Sequence, residues 1–282
     1  MTLRSTTRVQ LYRFRPGGPE ARPDVVATEE PLEVRLYWHQ DKAQVYRSIA
    51  VTMRTPGNDF ELAAGFLFTE GILAHRDAIQ RIAYCTEDAV QHQSNIVNVY
   101  LKPGLAVDVD RLMRHFYTTS SCGVCGKASL EALQAACPFP IPSGTPKVRP
   151  EVIYRLPEAL RQAQAVFEKT GGLHAAGLFT PQGELLSVRE DVGRHNAVDK
   201  LVGQHFLADE LPLADHLLMV SGRASFEIMQ KAVAAGIPVV VAVGAPSSLA
   251  VETAHEFGMT LIAFARGESF NVYAGRERVD GM

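Results

Sequence analysis

The sequence predicts an α/β protein with a parallel sheet in its C-terminal half and a smaller α+β lobe in its N-terminal half. From residue 216 onward, short apolar strands alternate with segments of helix length, an order typical of parallel strands joined by right-handed crossovers. The last two of these strands, 237–243 and 260–265, are almost continuously apolar, as expected for strands buried on both faces. The N-terminal lobe is predicted from a two-residue alternation of apolar side chains between residues 32 and 53.

The chain is expected to begin with a flexible arm and the N-terminal lobe. Residues 1–30 are rich in Arg, Pro and Gly and have no sustained period, which favours a loose arm. The lobe is assigned to residues 31–117, and Asn58 with Glu61 three residues later resembles a capping box. Its predicted elements are a hairpin over 32–53, a helix over 58–69 and a strand over 96–101.

Residues 118–150 form the predicted junction, and residues 151–282 form the predicted C-terminal domain. The junction contains a loop with two thiols, a short helix over 128–136 and a proline-rich connector that is expected to be stiff. The predicted elements of the C-terminal domain are helix 156–167, strands 173–179 and 185–188, helix 196–206 with Asn196 as its N-cap, strand 216–220, helix 224–235, strand 237–243, helix 247–257 and strand 260–265.

Composition excludes several classes of function. The 28 basic and 31 acidic residues give a formal net charge of -3, so extensive nucleic-acid binding is not indicated. The longest apolar run, Ile237 to Val243, is too short to cross a bilayer, and the polar N-terminus has no secretory signal. A cytoplasmic protein without a membrane segment is therefore expected.

Cys122 and Cys125 are separated by two residues, and each is followed by glycine. The polar run before them and the glycines favour an accessible loop. The predicted helix begins next to Cys125, and its positive end, together with Lys127, lowers the pKa of a nearby cysteine and favours the nucleophilic thiolate. Sulfur or redox chemistry is therefore the preferred interpretation.

Two structural roles for the thiol pair are less favoured. A structural disulfide is unusual in a cytosolic chain, and a loop of two residues constrains the unfolded chain little. A zinc site would need two more ligands, whereas Cys85 and Cys137 are single and no second CxxC occurs.

The carboxyl ends of three predicted strands carry small and cationic residues. These ends are Ser221-Gly222-Arg223, residues 244–248 and residues 266–269. Ligands bind beyond such ends in parallel sheets, and Arg223 and Arg266 can pair with phosphate. The sequence thus predicts an anion or nucleotide site, although neither a GxGxxG fingerprint nor a P-loop is present.

The polar segment 189–196 could add ligand contacts from Arg194 and His195, or it could form salt-bridged surface. The residues alone leave both interpretations open. His174 stands in apolar company, which favours a core residue over a ligand.

Taken together, these motifs resemble the FdhD/NarQ family of formate dehydrogenase accessory sulfurtransferases. The matching segments are NDFELAAGFLFTEGI at 58–72, SSCGVCGK at 120–127, GGLHAAG at 171–177, EDVGRHNAVDKLVG at 190–203, SGRASFEIMQKA at 221–232, GAPSSLA at 244–250 and FARGESFNVY at 264–273. They span nearly all of the chain after the N-terminal arm.

The resemblance implies a cytidine-deaminase-like C-terminal domain and a cytoplasmic homodimer. It implies that Cys122 receives persulfide sulfur from a cysteine desulfurase, with Cys125 as the second thiol of the loop. The sulfur would pass to molybdenum in Mo-bis(molybdopterin guanine dinucleotide), a bound substrate, before apo formate dehydrogenase receives the cofactor. No permanent metal is implied. The expected cofactor-binding residues are Ser221, Arg223, Arg194, Phe264, Ala265, Arg266, Gly267, Glu268 and Ser269.

Three other functions stay open, and the sequence argues against the first two of them. A zinc-dependent deaminase needs H-x-E followed by P-C-x-x-C, whereas His174 is followed by two alanines and the CxxC lies upstream. A thiol-disulfide oxidoreductase would place its CxxC near a βαβ unit, which this loop lacks. A non-catalytic chaperone that only binds cofactor and enzyme is also compatible with the motifs.

Overall fold

Helices lie between two β-sheets, and a further helix covers the outer face of the larger sheet. A computed structural model describes residues 4–40, 43–87, 92–105, 133 and 138–281. Within these ranges, no helix combines the length and apolar character needed to cross a lipid bilayer.

The N-terminal half contains a separate hairpin and a four-stranded sheet. Its elements are β1 (Thr6–Arg15), β2 (Gly18–Ala27), β3 (Glu30–Gln40), β4 (Ala43–Arg54), α1 (Asp59–Thr69), β5 (Ile79–Tyr84) and β6 (Ile96–Leu101). The four-stranded sheet has the order β4-β3-β6-β5. The predicted hairpin over 32–53, the helix after residue 58 and the strand over 96–101 are confirmed.

The C-terminal half forms a six-stranded sheet with helices on both faces. Its elements are α2 (Pro150–Ala163), α3 (Ala165–Thr170), β7 (His174–Phe179), β8 (Leu185–Asp191), α4 (Arg194–Leu207), β9 (Leu217–Val220), α5 (Phe226–Ala234), β10 (Val239–Ala242), α6 (Ser248–Glu256), β11 (Thr260–Arg266) and β12 (Ser269–Ala274). The strand order is β12-β11-β10-β9-β7-β8. The predicted α/β class is confirmed.

The sheet is only partly parallel. β9, β10 and β11 are parallel, as predicted, whereas β7, β8 and β12 each pair antiparallel with a neighbour. Short connections join β7 to β8 and β11 to β12, and such hairpins impose antiparallel pairing.

The prediction that residues 1–30 form a loose arm without regular structure is wrong. Residues 6–27 form the β1–β2 hairpin, which is paired from Thr6–Ala27 to Arg15–Gly18. Gly17 and Gly18 both have positive φ, which allows the tight connection.

Two predicted helix caps are also wrong. Asn58 has φ 57° and makes no side-chain cap; instead the Asp59 carboxylate accepts from the Gly57 N–H at 3.2 Å. Helix α4 begins after Gly193, and the Asn196 amide donates to the Met53 carbonyl at 2.8 Å. A tertiary contact thus occupies Asn196, whereas Asn58 stands before α1 without a side-chain cap.

One hydrophobic core joins the two halves. It contains β3 and β6 side chains from the smaller sheet, the inward faces of α1, α4 and α5, and one face of the larger sheet. Leu133, the sole described residue of the helix predicted over 128–136, is helical and buried there. A second core lies beneath α2, on the other face of the larger sheet.

Candidate functional site

A cavity of about 750 Å³ opens at one edge of the six-stranded sheet. This edge is formed by the carboxyl ends of β9, β10 and β11, from which Ser221, Val243 and Arg266 line the cavity. His174 lies there too, because β7 runs antiparallel to β9. The volume falls in the range of about 300–1,000 Å³ that is typical of small-molecule sites.

Helices α2 and α3 form the opposite wall. This wall contributes Tyr154, Glu158, Arg161, Gln164 and Phe167. The guanidinium carbon of Arg161 lies 4.5 Å from the centre of the Phe167 ring, so a cation and an aromatic face are combined in one wall.

Glu190 fixes the short helix α3 that carries Phe167. Its carboxylate accepts the backbone N–H groups of Val166 and Phe167 at 2.9 and 2.8 Å. These are unsatisfied donors of the first helical turn, and a carboxylate is stabilised there by the helix dipole. The strand β8 therefore positions the aromatic side chain of the cavity wall.

A bulge shapes the end of β11. The β11–β12 register shifts between Ala263 and Arg266, and Phe264 has φ 55°, a conformation that is uncommon outside glycine. Its backbone N–H still donates to the Gly244 carbonyl at 3.2 Å. The bulge leaves Phe264 and Arg266 exposed, while Ala265 is buried in the cavity wall.

Ser221 is held by β7 on both its backbone and its side chain. The Ala175 N–H donates to Ser221 Oγ at 2.8 Å, and the Ser221 N–H donates to the Ala175 carbonyl at 3.0 Å. Burial and the Arg194 charge lower the pKa of neighbouring His174, so its imidazole is neutral near pH 7. The cationic groups of the cavity are therefore Arg161 and Arg266.

The loop between β8 and α4 is organised by a buried carboxylate. Asp191 Oδ1 accepts from the Gly193 N–H and from Asn196, and Oδ2 accepts from the Thr55 N–H at 3.1 Å. Lys200 Nζ lies 2.7 Å from the same Oδ2. This network fixes Arg194, the first residue of α4, next to the sheet edge.

The model of the FdhD/NarQ family matches residues 27–280. The chain belongs to the FdhD/NarQ family.

Relatives in this family share nearly the whole chain. Sulfur carrier protein FdhD of Streptomyces coelicolor is 54% identical over 280 residues, 98% of this chain and 96% of the relative. The protein of the same name from Mycobacterium tuberculosis is 51% identical, over 92% of this chain and 92% of its own length. The one from Saccharolobus solfataricus is 43% identical, over 96% of this chain and 97% of its own length.

A solved structure has the same overall fold. It is the crystal structure of a proposed formate dehydrogenase accessory protein from Desulfotalea psychrophila, with a TM-score of 0.73 and 26% sequence identity. The alignment covers 98% of this chain and all of the other. The cytidine-deaminase-like description of the C-terminal domain stays a prediction.

Four of the predicted cofactor-binding residues of this FdhD/NarQ member line the cavity. They are Ser221, Ala265, Arg266 and Gly267. The other five, Arg194, Arg223, Phe264, Glu268 and Ser269, lie at or near the same sheet edge but outside the cavity wall. Cys122 and Cys125 lie outside the described residues.

Arg194 and His195 lie on the α4 side of this edge. The Arg194 Nε is buried without a hydrogen-bond partner among the described residues. His195 Nε2 lies 3.1 Å from Ser225 Oγ and 3.8 Å from the Glu227 carboxylate. Burial and the Arg194 charge lower the pKa of His195 to about 4.

Sequence reasoning missed the helical wall of the cavity. Tyr154, Glu158 and Arg161 lie on α2 outside the apolar residues from which the sequence predicts this helix. His174, expected in the core, is half-buried and lines the cavity. The Gly171-Gly172 pair before it, which also lines the cavity, was the available signal.

The described residues offer no group of three or more His, Cys, Asp or Glu side chains suited to a metal ion. The cavity instead combines two arginines and one carboxylate, Glu158, with small residues and aromatic rings; the arginines suit phosphate and the rings suit planar groups.

Proposed function

We propose that this chain is a sulfur carrier that receives persulfide sulfur from a cysteine desulfurase on Cys122 and passes it to Mo-bis(molybdopterin guanine dinucleotide). The loaded cofactor then passes to an apo formate dehydrogenase. The relatives' common name and their identity over nearly the full chain support the carrier role. The CxxC sequence supports the thiol chemistry.

The loading step is a thiol–persulfide exchange. The Cys122 thiolate attacks the outer sulfur of the desulfurase persulfide, the S–S bond in the desulfurase breaks, and the desulfurase cysteine leaves as a thiolate. The product is a persulfide on Cys122, with no net oxidation.

Two routes for release remain candidates. In the first, the Cys125 thiolate attacks Cys122 Sγ; hydrosulfide leaves, and the two cysteines form a disulfide after supplying two electrons. In the second, the terminal sulfur binds molybdenum, the S–S bond breaks and Cys122 leaves as a thiolate; the metal then supplies the two electrons that reduce the transferred sulfur to sulfide, and Cys125 only tunes its neighbour.

The cavity is the proposed site for a guanine-nucleotide end of the cofactor. The observation that carries this assignment is that Ser221 and the segment Ala265–Gly267, distant in sequence, line one cavity together with Arg161 and Phe167. The two arginines can bind pyrophosphate oxygens, and the aromatic wall can stack a purine. Holding the nucleotide there restricts where the molybdenum end can lie when sulfur arrives.

The proposal is tested by sulfur loading. The protein is incubated with a cysteine desulfurase and cysteine, and intact-mass spectrometry is expected to reveal one added sulfur that a thiol reductant removes. Cys122→Ala should abolish the addition and the activation of formate dehydrogenase, whereas Cys125→Ala should retain the addition. A Cys122→Ala protein that still activates the enzyme would instead support the non-catalytic chaperone.

The deaminase alternative has a separate test. Zinc analysis of the purified protein is expected to give a metal content near zero, and a stoichiometric zinc ion would favour that alternative. The proposed carrier acts in the cytoplasm as a homodimer, without binding nucleic acid or membrane.

A further inference from the structure

The side-chain amide of Gln164 is buried in the cavity wall with an unused donor. The residue is 3% exposed and lines the cavity. Its Nε2 has no hydrogen-bond partner among the described residues. Leaving a buried donor unpaired is costly, so such a group in a cavity wall is typically completed by a ligand or by water. Gln164 therefore offers the cavity an amide N–H that this part of the fold does not consume.

The backbone around Gln164 is fixed without help from its side chain. The residue lies between α2 and α3; its N–H donates to the Arg161 carbonyl at 3.3 Å, and its carbonyl accepts from the Glu168 N–H at 3.0 Å. A side chain at this position could cap α3, but it makes no such bond. The Glu190 carboxylate instead accepts two N–H groups from the first turn of α3. The capping task is thus taken by another residue, and the amide of Gln164 is left for the cavity.

A hydrogen-bond acceptor lies in the same wall. Glu158 is less than two turns before Gln164 on α2, and both residues line the cavity. The Gln162 amide donates to Glu158 Oε1 at 2.9 Å and so orients the carboxylate. A carboxylate has several further lone pairs and can accept two N–H groups side by side. One wall of the cavity therefore presents an amide donor together with a carboxylate acceptor.

This combination of donor and acceptor matches one edge of guanine. Guanine has the acceptor O6 beside the donors N1–H and N2–H, so it can receive the amide N–H and give two N–H groups to the carboxylate. Adenine has an amino group in place of O6 and a lone pair on N1, which would set donor against donor and lone pair against carboxylate. The rings of Tyr154 and Phe167 in the same wall supply apolar surface on which a planar base can lie.

We infer that Gln164 and Glu158 read the base of the bound nucleotide and select guanine over adenine. Gln164 donates to O6, and Glu158 accepts from N1–H and N2–H. The inference rests on the proposed nucleotide site and names the residues that set its base specificity. Arg266, by contrast, binds phosphate, which every nucleotide carries, and so adds affinity without selecting the base.

Calorimetric titration of the whole protein with GDP and ADP tests the contact to O6. The wild-type protein should bind GDP at least about tenfold more tightly than ADP, the usual scale for a paired base contact. Gln164→Met removes the amide at similar volume and should weaken GDP at least about fivefold while ADP changes by less than about twofold. A purely structural role for Gln164 would weaken both nucleotides alike.

Inosine diphosphate isolates the contact to Glu158, because its base keeps O6 and N1–H but lacks the 2-amino group. The wild-type protein should bind GDP at least about fivefold more tightly than inosine diphosphate, and Glu158→Ala should reduce this difference to less than about twofold. The control is Glu168→Ala, which removes an exposed glutamate of α3 that does not line the cavity and should keep the full difference. Circular dichroism establishes that each variant is folded.

The outcomes separate the base assignment from the proposed site. Wild-type protein that binds GDP and ADP equally, or variants that keep both wild-type ratios, would overturn the inference and leave a nucleotide site without base selection. Absence of GDP binding would contradict the proposed site and the inference with it. Sulfur loading of Cys122 is measured separately, so either result leaves the carrier role standing.

Discussion

The ammonium group of Lys200 lies 2.7 Å from the carboxylate of Asp191, and both side chains are almost fully buried. Lys200 also donates to the carbonyls of Thr55 and Glu190, at 2.8 and 3.3 Å. Asp191 ends β8, directly before the short connection to α4, which begins at Arg194. Because both partners also bind the Thr55 backbone, the pair ties the N-terminal half to the edge of the large sheet where the candidate site lies.

Replacing Lys200 by methionine should destabilise the protein strongly. The change leaves a buried carboxylate without its counter-charge, which typically costs about 3–5 kcal/mol. Urea unfolding followed by circular dichroism measures the loss in free energy of unfolding. The control is Lys102→Met, whose partner Asp77 lies 3.8 Å away on the surface, and it should change stability by less than about 1 kcal/mol. Equal effects of the two changes would contradict the assigned role of the buried pair.

Arg266→Ala should weaken binding of GDP, used as a probe for the guanine-nucleotide end of the cofactor. Loss of a charge-assisted hydrogen bond typically costs about 1.5–3 kcal/mol, or roughly a tenfold to hundredfold rise in Kd. Calorimetric titration measures the constant. Arg161→Ala, in the opposite wall, should act in the same direction.

The control for the GDP experiment is Arg223→Ala. Arg223 is exposed near the same sheet edge but does not line the cavity. Its loss should change Kd by less than about threefold if the cavity is the binding site. A larger effect from Arg223 than from Arg266 would place the nucleotide on the strand-end loops predicted from sequence instead.

The buried parallel strands could be predicted from sequence because both of their faces meet apolar groups. Residues 239–242 form a continuous apolar run, and all four are buried. The edge strands β5 and β12 were missed, because an edge strand keeps polar side chains and so loses its apolar pattern. The N-terminal hairpin was missed for the same reason, since most of its side chains face solvent.

The residues of the candidate site that follow predicted strands could be predicted from sequence. Those that reach the cavity through the packing of a helix could not. Ser221 and Arg266 follow apolar strands, so their common edge could be inferred. Arg161 lines the cavity only because α2 covers the second core at a particular angle, which no local pattern specifies. The polar segment 189–196 is neither open surface nor a simple ligand loop, because Glu190 and Asp191 bind backbone donors inside the fold.

Gly65→Ala should destabilise the protein by about 2–3 kcal/mol, within the usual range for overpacking. A Cβ at Gly65 of α1 would overlap the Asp199 carbonyl of α4 and come within 2.8 Å of the Gly203 nitrogen. Thermal and urea unfolding measure the effect. Gly172→Ala is the control, since its Cβ would meet neighbours at 3.6 Å or more, and its change should stay below about 1 kcal/mol. Equal stability of the two variants would contradict close contact between α1 and α4.

The titration of His195 should reduce stability in mild acid. Burial, followed by the Arg194 charge, lowers its pKa to about 4 in the folded protein, against about 6.5 in the unfolded chain. Above about pH 6.5 the ring is neutral in both states and contributes no pH dependence. Between about pH 6.5 and 4 only the unfolded chain binds the proton, so stability falls as pH falls; below about 4 the effect levels off.

His195→Gln should remove this component and make the decline in unfolding free energy between pH 6.5 and 4 shallower by about 1–2 kcal/mol, a figure reduced because 32% of the side chain is exposed. NMR titration of the wild-type ring should give a midpoint near 4. Arg194→Gln removes the neighbouring positive charge and should raise that midpoint. A ring that titrates near 6.5 in both proteins would mean that His195 is not enclosed beside Arg194 and Ser225, and the α4 side of the sheet edge would then be open to water.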